Sequence, residues 1–247
     1  MMLEIAANSV ASALAAQAGG AGRIELCSAL ELGGLTPSHA QIALARERLH
    51  IPLYVLIRPR AGDFLYSDIE CEVMLRDIET CAELGCDGVV LGVLDTEANV
   101  DIARCRTLIE TAGKLGVTFH RAFDLSRDPV QALEDIVALG CERVLTSGAQ
   151  PTAAQGEALI RDLVAQANGR LAVMPGAGVT AQNIVALAAA TGAQEFHVSA
   201  KHLLPSGMQH QRALLSEMES GELRSDVEQV CALATALQTM AQSPTRT

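Results

Sequence analysis

The sequence predicts an α/β fold: a TIM-barrel-like (β/α)8 barrel filling residues 1–247 as a single domain. Three observations predict it. The length of 247 residues is that of one α/β barrel. Short apolar runs alternate with longer helical ones from end to end, the mark of parallel strands joined by crossover helices. Polar residues follow nearly every short run, where a barrel builds its site. An open doubly wound sheet shares the alternation, but it gathers its polar residues at one switch point. The count of eight and the spread of polar ends favour closure.

The first strand is Leu3–Ala7, and the helix Val10–Ala18 after it ends at Gly19. The second strand, Arg23–Cys27, leads through Thr36-Pro37-Ser38, a capping oxygen and a proline, into Ser38–Leu49. Pro52–Arg58 pairs with the helix Ser67–Leu84, closed by Gly85, and Gly88–Gly92 with Asp101–Ala112, closed by Gly113. Val117–Arg121 precedes Pro129–Leu139, which opens on Asp128-Pro129 and ends at Gly140. Arg143–Thr146 precedes Ala154–Ala167 with Gly169 beyond, and Leu171–Pro175 precedes Ala181–Thr191, capped by Thr180 and closed by Gly192. Glu195–Ser199 is the eighth strand. The segment 203–225 reads as irregular, a lid or an oligomer contact, and a C-terminal helix runs over Asp226–Gln242.

About half the residues are apolar and there is no Trp, so the core is mostly aliphatic. A formal charge of −11 argues against nucleic acid or an anionic membrane as partner, since both need a basic field. No run approaches the ~18 apolar residues of a membrane span. Met1-Met2-Leu3-Glu4-Ile5 shows no basic segment ahead of an apolar one and reads as no signal peptide. Seven scattered cysteines, an odd count, fit free thiols in a reducing compartment, and hence the cytoplasm.

Charges inside otherwise buried strands are costly unless paired or functional. Glu4 and Glu25 are such charges. They read either as ion pairs with Arg58 or Arg121 at the barrel rim, or as site residues. The third strand ends in Arg58-Pro59-Arg60, and Arg60 with Asp63 reads as a loop pair or an anion clamp. The fifth ends in His120-Arg121-Ala122-Phe123-Asp124, where His120 is a core histidine or a proton carrier, and Asp124 could orient His120 or Arg121. The seventh runs into Pro175-Gly176-Ala177-Gly178, and the eighth ends in His197-Val198-Ser199. Glycines let backbone N–H groups approach an anion, and loops after strands seven and eight often hold phosphate. Gly176, Gly178, Ser199 and Arg60 are therefore the candidate anion cradle; Glu4, Glu25, Arg58, His120, Arg121, Asp124 and His197 are the candidate catalytic set. Glu4 with Glu25 could also hold a hard metal. Cys27 stands apart from the other cysteines, ending a strand beside Glu25, where a thiolate could take a soft ion if Met174 or His197 completed the set.

Several blocks resemble the copper homeostasis protein CutC family: Arg23-Ile24-Glu25-Leu26-Cys27-Ser28, Gly33-Gly34-Leu35-Thr36-Pro37-Ser38, Ile57-Arg58-Pro59-Arg60 with Gly62-Asp63-Phe64, Thr118-Phe119-His120-Arg121-Ala122-Phe123-Asp124, and Met174-Pro175-Gly176-Ala177-Gly178. The resemblance spans residues 2 to about 212. It implies a TIM-barrel-like fold, a cytoplasmic homo-oligomer (a dimer first), and copper, as Cu+, bound through cysteine. Family members often carry a cysteine two residues after the first-strand glutamate; Ala6 stands there in this chain, leaving Cys27 alone. Three functions stay open: copper homeostasis, an enzyme acting on a small anionic or phosphorylated metabolite, and a ligand-binding scaffold without chemistry. In the enzyme case Arg58 and Arg60 steer the anion and Glu25 or His120 moves protons.

Overall fold

A computed structural model describes residues 1–210 and 221–242. Eight parallel strands form the barrel: β1 (Met2–Ala7), β2 (Arg23–Leu26), β3 (Leu53–Leu56), β4 (Gly88–Leu91), β5 (Gly116–Phe119), β6 (Arg143–Thr146), β7 (Ala172–Pro175) and β8 (Glu195–Val198). They are bonded in the order β7-β6-β5-β4-β3-β2-β1-β8, and β7 lies against β8 to bring the barrel nearly to closure. The helices between them are α1 (Val10–Ala18), α2 (His39–Arg48), α3 (Asp68–Glu83), α4 (Ile102–Ala112), α5 (Pro129–Ala138), α6 (Glu157–Ala167) and α7 (Ile184–Thr191). A terminal helix, α8 (Val227–Gln242), follows.

Strand alternation sorts the side chains into two compartments. Leu3, Ile5, Ile24, Val55, Val89, Val144, Val173 and Phe196 point outward into the main core against Ile42, Met74, Ile78, Leu108, Ile136, Ile160 and Leu187 of the helices. The opposite phase points into the barrel. There Cys27, Tyr54, Leu56 and Val90 form a small apolar group, and inward places on β1, β2, β5, β6 and β8 carry Glu4, Arg23, Glu25, Thr118, Arg143, Glu195 and His197. Helix starts follow the expected chemistry: Ser38 and Ser67 each accept from the backbone N–H three residues on, and Gln41 and Glu70 complete capping boxes.

Two expectations need correction. Thr180 does not cap the seventh helix: α7 begins at Ile184, and the Thr180 N–H instead donates to Asn183 Oδ1 at 2.8 Å. The segment expected to be irregular contains an antiparallel ribbon, β9 (Lys201–Leu204) against β10 (Glu222–Ser225). The ribbon is tied down where Asn8 Nδ2 donates to Leu223 O and the Ser225 N–H to Ser12 Oγ. The rest of that expectation, residues 211–220, lies outside the described residues. No helix among them is long and apolar enough to cross a membrane.

Candidate functional site

Glu4, Arg23, Glu25, Glu195 and His197 meet inside the barrel because each takes the inward phase of its strand. Arg23 and Glu25 are two apart on β2, Glu195 and His197 two apart on β8, and β1 lies between, with Glu4 in register with both Arg23 and His197. The Arg23 guanidinium donates to Glu4 through Nε and to Glu195 through Nη2 at 2.6 Å. From β6, Arg143 reaches Glu195 at 3.0 Å and Thr118 Oγ1 at 3.1 Å. The Tyr54 ring packs against both guanidinium groups, 5.2 and 4.9 Å from its centre. The second oxygen of Glu4 lies 2.7 Å from His197 Nδ1. Glu25 Oε2 is 4.0 Å from that nitrogen, buried, and without a hydrogen-bond partner.

These contacts set the charges. Burial raises the Glu4 carboxyl, but Arg23 and His197 together outweigh it and hold the group at about 2. Glu25 is pushed up to about 7, by burial first and by the Glu4 charge, against the pull of His197 and Arg23. Burial drives the His197 imidazole down, while Glu25 and Glu4 lift it further than that, so it sits above its ordinary value.

Above this floor a cavity of about 710 Å³ opens at the C-terminal ends of β7 and β8. His197 and Ala6 face it from below, and Ala177, Gly178, Val179 and Thr180 form one wall. Ser199 and Lys201, with Arg121 across from them, bring the polar and basic edge. Ala177 and Ala200 both border it in the left-handed region, at φ 71° and 42°. A side chain held there is strained, and such strain gathers at functional sites.

The other expected residues are placed as follows. Arg58 is buried and donates to the carbonyls of Leu32, Gly34 and Gly62 while lying over the Phe64 ring, so it laces two loops together. Arg60 points to the surface, where it pairs with Asp63 and Glu70, and does not line the cavity. Neither Arg58 nor Arg121 pairs with Glu4 or Glu25, which corrects that expectation: β2 supplies Arg23 from the next strand, closer than any rim arginine. Of its two expected partners Asp124 engages Arg121 and not His120, and it also accepts from Thr146 Oγ1, Ser147 N and Ala149 N. His120 is buried against Phe64, its Nδ1 accepting from the Ala122 N–H. Burial first, and then Arg58, pushes it down to about 3. Gly178 and Ser199 line the cavity; Gly176 does not, and a Cβ there would meet Leu145 Cδ1 at 2.6 Å. Its glycine lets the chain leaving β7 pass close to the Leu145 side chain of β6.

Cys27 packs in the apolar group with Tyr54, Leu56 and Val90, and its thiol is driven well up, by burial and then by Glu25 and Glu31. Both expected helpers are engaged elsewhere: Arg23 Nη2 donates to Met174 Sδ at 3.4 Å, and His197 Nδ1 is engaged by Glu4.

Sequence reasoning missed Arg23, Arg143, Glu195, Tyr54 and Lys201. A signal existed for two of them. Arg23 precedes Glu25, and Glu195 precedes His197, by the two residues that keep side chains on one face of a strand. Lys201 had none, because the ribbon that carries it was not expected.

Comparison with known proteins agrees with this architecture. The family model described as the CutC family matches residues 1–202. A CutC family protein of Xanthomonas campestris pv. campestris (strain B100) is 56% identical over 239 residues, 97% of this chain and 100% of its own. One of Xylella fastidiosa (strain Temecula1) is 63% identical over 202 residues, 82% of this chain and 76% of its own. Among solved structures, a proposed copper homeostasis protein CutC from Streptococcus agalactiae superposes with a TM-score of 0.78 at 33% identity, covering 81% of this chain and 98% of that one. The chain belongs to the CutC family.

Proposed function

We propose that the chain binds a small phosphate- or carboxylate-bearing metabolite in the cavity over β7 and β8. The observation that carries this is the composition of the cavity's edge. In a protein of net charge −11 it presents Arg121 and Lys201, and Lys201 makes no ion pair among the described residues. Its volume suits a metabolite-sized ligand. The backbone from Ala177 to Ala181 borders it on the approach to α7, where helix N–H groups favour an anion.

The family's name points to copper, and the inward residues provide a test of fit. Cu+ takes soft thiolate ligands, and a thiolate needs an environment that stabilises its charge. Cys27 sits in an apolar group beside two glutamates that oppose ionisation, and Ala6 offers no donor. A two-cysteine Cu+ site does not fit this chain. The same proposal places the protein in the cytoplasm, where free thiols stay reduced.

Thermal unfolding in inorganic phosphate, sulfate and a panel of phosphorylated metabolites tests the anion site. A ligand at about ten times its Kd stabilises by about 1.4 kcal/mol. That raises Tm by about 3–6 °C for a chain of this size. Lys201→Glu should abolish the rise. Equal shifts from chloride at matched ionic strength, or none from any anion, would overturn the proposal.

A further inference from the structure

Beneath the cavity, Glu4, Glu25 and His197 present two carboxylates and an imidazole whose ligand atoms all lie within 4.8 Å of one another. We propose that these three residues form a binding site for a divalent cation of the Zn²⁺ or Co²⁺ kind, open on its fourth side to the cavity. Oxygen and nitrogen donors of this kind suit borderline divalent ions rather than Cu+.

Three observations carry the assignment. The first is distance. A tetrahedral ion with bonds of about 2.0–2.2 Å needs its donors about 3.3 Å apart. His197 Nδ1 stands 2.7 Å from Glu4 Oε1 and 4.0 Å from Glu25 Oε2, so the first gap opens and the second closes by well under 1 Å each. The second is the state of Glu25. It is 6% exposed, yet Oε2 is buried without a hydrogen-bond partner and lies beside the other two donors. A buried acceptor left unsatisfied is expensive, and a cation among the three donors removes that cost. The third is support and access. Arg23 fixes the far oxygen of Glu4, as outer-sphere partners orient a ligand, and His197 faces the cavity, which supplies an entry path. Cys27 takes no part in the group.

Cation and anion occupy different places, the floor and the wall, so each can be lost without the other. The test titrates Co²⁺ into metal-stripped, tag-free full chain, read by calorimetry and by the visible absorption of tetrahedral Co²⁺, with Zn²⁺ in competition. One Co²⁺ per chain is expected, displaced by Zn²⁺. Glu25→Gln and His197→Gln should each weaken it by about tenfold or more. Cys27→Ser should leave it unchanged, and so should Lys201→Glu, whose loss belongs to the phosphate response. Glu25→Gln keeps the shape of a side chain with an unpartnered oxygen, and circular dichroism confirms that it folds. Absence of binding to the wild-type chain, binding indifferent to both floor substitutions, or binding lost with Cys27→Ser would each overturn the site.

Discussion

His120 shows what burial does to one residue. The imidazole is enclosed by Phe64 and Phe119, its Nδ1 accepts a backbone N–H, and its pKa falls to about 3. The unfolded chain therefore takes up a proton near pH 6.5 that the folded chain refuses until about 3. Between those values the unfolded state binds more protons, and stability falls as pH falls. At pH 5 the loss from this one group is about 2 kcal/mol relative to neutral pH. His120→Asn keeps the acceptor for Ala122 and removes the titration. Urea unfolding at pH 7 and pH 5 should show the gap between variant and parent shifting by about 2 kcal/mol in the variant's favour. A gap independent of pH would rule out a neutral, buried His120.

Single elements are held by their ends. Ser67 caps α3 by accepting from the Glu70 N–H, and Glu70 returns the bond to the Ser67 backbone at 2.7 Å while also pairing with Arg60. The surface arginine that resembled an anion clamp in sequence thus belongs to a helix start. Ser67→Ala should cost about 1 kcal/mol in equilibrium unfolding and leave phosphate protection intact. The βα loops show a second pattern. Ala29, Ala98, Ala149, Ala177 and Ala200 all adopt positive φ after strands, whereas the helix ends before the next strands mostly use glycine, at Gly20, Gly85, Gly113, Gly140 and Gly192, with Asn168 instead at the end of α6. Glycine takes the left-handed conformation without steric cost, so most helix ends are relaxed and the strand-end face carries more of the strain.

Across the barrel interior five charged residues form one chain, from Arg143 through Glu195 and Arg23 to Glu4 and His197. Arg23 is its centre, serving two carboxylates at 4% exposure. Arg23→Met fills similar space and leaves Glu4 and Glu195 without their shared cation, a loss of about 3–5 kcal/mol for a broken buried pair. Denaturant unfolding measures it, and a change within about 0.5 kcal/mol, the range of a surface substitution, would show that the chain of charges is dispensable.

The sequence by itself determined the barrel. Short apolar runs in the strands and capping residues at helix starts act over a few positions, so they are legible in order along the chain. It also marked Glu4, Glu25 and His197, because a charge or imidazole in an apolar strand is conspicuous without any partner. Only the tertiary structure decided what those residues meet. Arg23 and Glu195 are 172 positions apart and touch because β8 closes onto β1. Closure likewise turned Arg58 into a loop brace and brought Lys201 to the cavity rim. Such pairings depend on strand register around a ring, which no local pattern encodes.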